Sequence, residues 1–97
     1  MQIPKLRELG INGFQIKDYG GPGMTYLESN AMVFELARID LSLTTFLTVH
    51  NSIGMSVIDK LGSEEMRKRI LPDGIALNKI VCFGLTEPDF GSDASSL

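Results

Sequence analysis

The stretch TYLESNAMVFELARIDLSLTTFLTVHNSIGMSVIDKLG (residues 25–62) determines the fold class of this sequence. Thr25 and Glu28 have the spacing of a capping box, in which each side chain satisfies an unpaired backbone N–H group, so a helix is expected to begin at Thr25. Ser42 can cap a second helix that runs to about Leu61. Two helices of this length in succession predict a mainly α protein.

Both helices are largely apolar. In the first, apolar residues cover most of the circumference, which predicts that the helix is packed on several sides. These residues are Leu27, Ala31, Val33, Phe34, Leu36 and Ala37. The second helix carries a narrower apolar stripe of Phe46, Val49, Ile53 and Val57. A parallel stripe of uncharged polar residues indicates a helix buried inside a protein rather than one that spans a membrane.

The remaining segments are shorter. Pro4 to Leu9 has the pattern of a brief helix, and a glycine-rich connector occupies residues 10–23. Ser63 is expected to cap a helix over EEMRKRIL that buries Met66 and Ile70 as an i, i+4 pair and ends at Pro72. The remaining residues of this region predict a loop over 72–78 and a β-strand over KIVCFGL, residues 79–85.

Composition excludes several classes of function. The 97 residues suffice for one small domain, and the net charge of −3 without a Lys/Arg cluster argues against nucleic-acid binding. The single cysteine, Cys82, cannot form an internal disulfide. The N-terminus lacks the layout of a signal peptide, and Met1 is also compatible with the start of a fragment. No residue pattern indicates a metal site.

The C-terminal stretch GLTEPDFGSDASSL, residues 84–97, is rich in small and polar residues. Thr86 follows the predicted strand, and Gly91 and Ser92 offer backbone and hydroxyl donors of the kind that phosphates favour. No Lys follows the glycine as in a Walker loop, and the GxGxxG pattern is absent. From the residues alone, an ordinary turn after a strand and a ligand-binding loop both remain open.

Several motifs together resemble one family. LTEPDFGSDASSL resembles the TEPxxGSD signature of the acyl-CoA dehydrogenase and acyl-CoA oxidase flavoproteins, and ARID, GSEEMRKRILP and CFGLTEP resemble other family segments in the same order. The resemblance covers the chain from Pro4 onward, but a family protein is several times longer. It therefore implies a fragment, in which residues 1–78 are the rear of the N-terminal helical domain and residues 79–97 begin the middle β domain with its flavin-binding loop.

The resemblance also implies the ligands and their contacts. FAD would be the cofactor and an acyl-CoA the substrate. The residues implied to lie along the flavin ring are Phe83, Gly84, Leu85 and Thr86. Gly91 and Ser92 match residues at the FAD pyrophosphate, and Ser92 also matches a residue near the CoA arm. The residues implied to line the acyl cavity are Thr45, Phe46, Val49 and Ile53, although an ordinary core role is an equal alternative for the apolar three.

The implied reaction is α,β-dehydrogenation of the thioester. The family's catalytic glutamate would lie beyond Leu97, and Glu64, Glu65 and Glu87 do not match it. We therefore expect no catalytic residue in this chain and no activity from the chain alone. His50 lies in mid-helix without a nucleophile or carboxylate at suitable spacing, which favours a hydrogen-bonded structural histidine over a general base.

Details of the resemblance bear on substrate and electron acceptor. Glutaryl-CoA members carry an Arg where this chain has Thr44 and Thr45, and a buried substrate carboxylate would be unpaired here, which argues against a dicarboxylyl-CoA. TTFLTVH and GGPGM look most similar to short-chain peroxisomal acyl-CoA oxidases, which use O₂. The alternatives are a mitochondrial dehydrogenase that reduces electron-transfer flavoprotein, or a truncated, non-catalytic helical module. The resemblance further implies a homo-oligomer, while the composition argues against nucleic-acid and membrane partners.

Overall fold

The computed structural model describes residues 3–97 and consists of helices joined by loops. The α-helices are α1 (Ile3–Leu9), α2 (Tyr26–Ile39), α3 (Leu41–Thr48), α4 (Ser56–Leu61) and α5 (Glu64–Ile75). A π-helix, Val49–Met55, joins α3 to α4, and a short 3₁₀ helix spans Ala94–Ser96. The predicted mainly α class is confirmed.

Capping side chains set most of the predicted helix starts. The Glu28 N–H donates to Thr25 Oγ1 (3.2 Å) and the Thr25 N–H donates to Glu28 Oε2 (2.7 Å), which completes the expected capping box. Ser63 accepts from the Met66 N–H as expected. For α3 the prediction was wrong, since Asp40 and not Ser42 is the cap. Its carboxylate accepts from the Leu43 N–H at 3.1 Å and offers the better acceptor one residue before the helix.

The segment Leu41–Leu61 is one continuous helical rod. By length and composition it could cross a membrane, and it is the one such helix in the described residues. Its π-helical middle nevertheless buries His50 and Asn51, whose polar atoms hydrogen-bond within the protein. Buried, satisfied polar groups of this kind are typical of an internal helix of a folded domain.

Helix α5 extends further than predicted. It continues through Pro72 to Ile75, and the Ala76 N–H bonds to the Pro72 carbonyl at 3.1 Å. Proline lacks only the donor, so its carbonyl can still support the next turn. The buried residues of α5 are Leu71 and Gly74, whereas Met66 remains exposed, so the predicted Met66–Ile70 buried pair was wrong.

Two hydrophobic clusters form the core. The first consists of Leu6, Phe14, Leu47 and Leu77, and the second of Ile16, Met55 and Leu71. The connector between α1 and α2 contributes Phe14 and Ile16, so this glycine-rich loop is part of the core. Gly13, with φ +91°, permits the turn that brings Phe14 inward.

Helix α2 is covered on one side only. Met32, Val33 and Leu36 pack against the first cluster. On the other side Leu27 is 81% and Phe34 is 66% exposed. The expectation that α2 is packed on several sides is therefore wrong for the part of the chain that the structure describes, because no other element there lies against its outer face.

The strand predicted over residues 79–85 does not form. Between residues 3 and 97 the structure contains no strand, and a single bridge pairs Glu87 with Phe90. β-branched residues suit extended backbone, but a strand also needs a neighbouring strand for its hydrogen bonds. No other extended segment of the described chain lies beside these residues, so the first strand of a β domain is not completed here.

Candidate functional site

His50 lies where the long helix, α5 and the C-terminal segment meet. Its side chain is fully buried. Nδ1 accepts the Val81 backbone N–H at 3.0 Å, so the ring hydrogen is on Nε2, which donates to the Gly74 carbonyl at 3.0 Å. Both ring nitrogens are thus occupied by backbone groups, and the prediction of a structural histidine is confirmed.

Val81 is also held by packing. It packs against the second hydrophobic cluster, and it lies directly over Gly54 of the π-helix. A Cβ atom on Gly54 would lie 2.7 Å from Val81 Cγ1, closer than carbon atoms can approach. The absence of a side chain at Gly54 therefore creates the surface on which the C-terminal segment lies.

Beyond Val81 the backbone has free donors and acceptors. Residues 82–86, which include the predicted flavin contacts Phe83, Gly84, Leu85 and Thr86, are all exposed. Within residues 3–97 no backbone hydrogen bond involves this stretch, and the Thr86 hydroxyl has no partner there. A row of free amides after an anchored residue can hydrogen-bond the edge of a planar ligand.

The following loop is a tight turn. Glu87 and Phe90 exchange two backbone hydrogen bonds of 3.0 and 3.1 Å. The Asp93 carboxylate accepts hydrogen bonds from the Ser96 and Ser95 hydroxyls. Both bonds lower the pKa of Asp93, and the bond from Ser96 has the larger effect. The predicted phosphate contacts Gly91 and Ser92 are exposed, and a Cβ on Gly91 would meet nothing within 4 Å. The loop leaves room for a ligand at these two residues.

The predicted acyl-cavity residues lie along one side of the long helix. Thr45 is exposed, and its hydroxyl donates to the Leu41 carbonyl (2.9 Å). Phe46, Val49 and Ile53 are half-buried, unlike the fully buried Leu47 and Met55 of the same rod. Phe46 stacks on His50 with parallel rings whose centroids are 5.9 Å apart. His50 therefore contacts both a predicted substrate residue and Val81, which lies two residues before the predicted flavin contacts.

A further cavity lies away from these residues. A cavity of about 310 Å³ opens between α1 and the junction of α2 and α3. Its lining consists of Lys5, Leu6, Leu9, Ile39, Asp40 and Leu43. None of the predicted site residues contributes to it. Nor does any group of three metal-ligating side chains occur in the described part of the chain.

Two polar features were missed from the sequence. Asn51 Oδ1 accepts the Gly13 N–H at 2.7 Å and so ties the connector to the π-helix. Arg67 bridges Asp18, Asp59 and Glu64 at 2.7–2.9 Å. The only sequence signal for the first was the pair of adjacent polar residues with large side chains, His50 and Asn51, in the middle of the helix.

Comparison with known proteins identifies the family. Residues 1–77 match the family described as acyl-CoA dehydrogenase, N-terminal domain. The chain belongs to the acyl-CoA dehydrogenase family. The family assignment made from TEPxxGSD and the accompanying motifs is confirmed, as is the N-terminal helical domain as the fold.

Relatives within the acyl-CoA dehydrogenase family are similar along nearly the whole chain. The mitochondrial isobutyryl-CoA dehydrogenases of Dictyostelium discoideum and Bos taurus are 42% and 37% identical over 93% and 96% of the chain. An acyl-CoA dehydrogenase of Bacillus subtilis is 33% identical over 98% of it. The chain spans 22–25% of the length of these relatives.

Solved structures of acyl-CoA dehydrogenases show the same fold. A glutaryl-CoA dehydrogenase from Mycobacterium smegmatis matches with a TM-score of 0.86 and 37% identity, covering 98% of this chain and 24% of that one. A second structure of a glutaryl-CoA dehydrogenase from this organism, in complex with FADH2, matches with a TM-score of 0.87 and 35% identity, covering 98% and 25%. The expectation of FAD is thus confirmed at the level of the family.

Proposed function

We propose that this chain is the part of an FAD-dependent acyl-CoA dehydrogenase that contacts the flavin and the acyl group. The observation that carries the proposal is the free backbone of residues 82–86, which begins directly after the anchored Val81. The family match to residues 1–77 supports a helical domain over residues 1–78 and the start of a second domain over residues 79–97.

The residues of the C-terminal segment suit a flavin. When bound, FAD would supply hydride acceptance during α,β-dehydrogenation. Free amides at Gly84 to Thr86 and the Thr86 hydroxyl are donors of the type that hydrogen-bonds the polar edge of the ring. Donors held in place at that edge stabilise negative charge. Gly91 and Ser92 would meet the pyrophosphate, and Ser92 the CoA arm.

The proposed substrate is a short acyl-CoA without a distal carboxylate. The Thr44 and Thr45 hydroxyls donate to carbonyls of their own chain at 2.8 and 2.9 Å, so neither is free for a carboxylate, and neither carries charge. Thr45, Phe46, Val49 and Ile53 would form one wall of the acyl cavity. The isobutyryl-CoA dehydrogenases among the relatives support a short chain, and isobutyryl-CoA is the first substrate to test.

The proposed electron acceptor differs from the one favoured by the sequence. TTFLTVH and GGPGM favoured an oxidase in the peroxisome, but the relatives reported above are dehydrogenases and two are named as mitochondrial. We therefore propose a mitochondrial dehydrogenase that passes electrons to electron-transfer flavoprotein. An oxidase that uses O₂ remains the second candidate, on the strength of those two motifs.

An assay of the protein expressed from its complete reading frame tests these proposals. We expect turnover of isobutyryl-CoA or butyryl-CoA with a dye or electron-transfer flavoprotein as acceptor, and little turnover of glutaryl-CoA. Peroxide formation without an added acceptor would instead establish the oxidase. Absence of both flavin and turnover would contradict the enzyme proposal and leave the non-catalytic helical module.

The 97-residue chain itself is proposed to be inactive. Glu64 and Glu65 are exposed in the first turn of α5, and Glu87 forms part of an exposed turn, so none of these three carboxylates is held in a buried site. The outer face of α2, which exposes Leu27 and Phe34, is proposed to be covered by the rest of the protein or by a second subunit.

A further inference from the structure

We propose that His50 is a positioning residue, which holds the flavin-contacting segment in place through its hydrogen bond to Val81. This inference rests on the proposed function, because it assumes that residues 83–86 contact FAD. In this role, the one histidine of the chain takes no part in the chemistry but positions the residues that contact the cofactor, in addition to filling the core.

The hydrogen bond to Val81 is the last backbone tie before the free segment. Upstream, the N–H groups of Asn78 and Lys79 bond to the Asp73 carbonyl at 2.9 and 3.2 Å. Downstream, the next backbone bond joins Glu87 to Phe90. Among the described residues, the Val81 N–H to His50 bond is therefore the only backbone hydrogen bond over residues 80–86.

The tautomer of His50 gives this bond its direction. Because Nε2 donates to the Gly74 carbonyl, Nδ1 is left as an acceptor that faces Val81. The ring thus links α5 on one side with the C-terminal segment on the other. Both partners are backbone groups, so the link depends on the path of the chain and on no partner side chain.

The π-helix provides both contacts that hold Val81, the hydrogen bond to His50 and the packing on Gly54. An i→i+5 helix is rare and often occurs at functional sites. Here it carries both His50, which accepts the Val81 N–H, and Gly54, on which the Val81 side chain lies. Hydrogen bonding and packing therefore fix the same residue, two positions before Phe83.

The stack with Phe46 extends the anchor toward the proposed acyl cavity. The ring planes of Phe46 and His50 are within 1° of parallel. The same histidine thus lies between the proposed substrate wall and the proposed flavin segment.

The test uses the complete protein with four variants. His50→Ala removes the acceptor and the donor, whereas His50→Gln retains one of each. Val81→Pro removes the backbone donor, together with part of the side-chain packing on Gly54, and leaves His50 intact. Val81→Ala, the matched control, keeps the N–H and removes only part of the packing. Amide hydrogen exchange, FAD affinity and the flavin reduction potential are measured for each.

With FAD bound, the flavin would protect the amides of residues 82–86, and we expect His50→Ala and Val81→Pro to speed their exchange by about tenfold, the effect of losing one hydrogen bond. In Val81→Pro, which keeps the bond from His50 to Gly74, exchange in α5 should be unchanged. FAD affinity should fall by a similar factor, and the flavin potential should shift because the donors at the ring are displaced. His50→Gln should restore most of each effect, and Val81→Ala should retain near-normal exchange at the segment.

Two outcomes would overturn the proposal. One is exchange and FAD affinity within twofold of the parent protein in both His50→Ala and Val81→Pro. The other is faster exchange throughout the helices without rescue by His50→Gln, which is the behaviour of an ordinary core residue. If His50→Ala does not fold, Val81→Pro and His50→Gln decide the question. If the parent protein binds no FAD, the proposed function fails, while exchange of the Val81 N–H in His50→Ala still tests the hydrogen bond to His50.

Discussion

At the scale of single residues, two buried asparagines are in opposite situations. Asn51 is 2% exposed, and both polar atoms of its amide are hydrogen-bonded: Oδ1 accepts the Gly13 N–H, and Nδ2 donates to the Leu47 carbonyl. Replacing Asn51 with Ala leaves the Gly13 N–H buried without an acceptor. We expect Asn51→Ala to lower the free energy of unfolding by about 2 kcal/mol in urea denaturation. The exposed Asn30→Ala, the control, should change it by less than about 0.5 kcal/mol.

Asn12 is equally buried, but neither polar atom of its amide has a partner among the described residues. A buried amide without hydrogen bonds costs free energy that an apolar side chain of similar shape does not. We therefore expect Asn12→Leu to raise the free energy of unfolding by about 1 kcal/mol in the same denaturation experiment. A loss of stability would contradict this expectation and would indicate an ordered water molecule bound by the amide.

Asp73 gives a pH-dependent contribution to stability. Its hydrogen bond to Lys79, at 2.8 Å, lowers the pKa of the Asp73 carboxyl. A lowered carboxyl pKa contributes stability that is present above the unfolded value of about 3.9 and is lost as pH falls through the folded value. We expect the Asp73 pKa, followed by NMR, to return toward its ordinary value in Lys79→Met. An unchanged titration in that variant would refute the assigned cause.

At the scale of elements, local signals predicted the starts of α2 and α5 and failed where tertiary contacts decide. The capping box at Thr25 and the cap at Ser63 follow from side chains within one turn of the helix. The π-helix over Val49–Met55 could not be predicted in this way, because no residue in it marks a change of helical period. The strand over residues 79–85 was predicted from β-branched composition, which does not reveal whether a neighbouring strand exists.

Arg67 joins three elements, and its removal should loosen all of them. Its guanidinium donates hydrogen bonds to Asp59 of α4, Glu64 of α5 and Asp18 of the connector. These hydrogen bonds raise the pKa of Arg67, and the bond to Asp59 has the largest effect. The Arg67 side chain is 17% and Asp59 25% exposed, so salt should screen this pair weakly, whereas Asp18 and Glu64 are 64% and 71% exposed and their pairs should be screened.

The stability of Arg67→Gln measures this network. We expect a clear decrease in Tm, and the part of it due to the partly buried Asp59, which loses its cation, should persist in high salt. The matched control is Arg38→Gln on α2, whose exposed pair with Glu35 should contribute almost nothing. Equal Tm values for the two variants would show that the Arg67 network adds no stability beyond a surface ion pair.

At the scale of the whole molecule, the fold class was predictable and the arrangement of the site was not. Helical periodicity and caps gave a mainly α chain, and the motif resemblance gave the family. That His50 contacts both Phe46 and Val81 depends on contacts between residues up to 31 positions apart. No local pattern encodes such a contact. The roles proposed for Thr45 and Gly91 likewise remain predictions, since both residues are exposed to solvent.

The exposure of residues 83–86, the proposed flavin contacts, leads to a prediction about the isolated chain. Phe83 is 51% and Leu85 is 47% exposed, so a flavin on this segment would be covered on one side only. Tight cofactor sites bury most of the ligand surface. In a fluorescence titration we therefore expect the 97-residue chain to bind FAD at least about 100-fold more weakly than the protein from the complete reading frame. The complete protein should be measured in parallel, to show that the assay detects tight binding. A tight complex of the isolated chain, with a normal flavin spectrum, would show that residues 82–97 and the helices beneath them form a sufficient site.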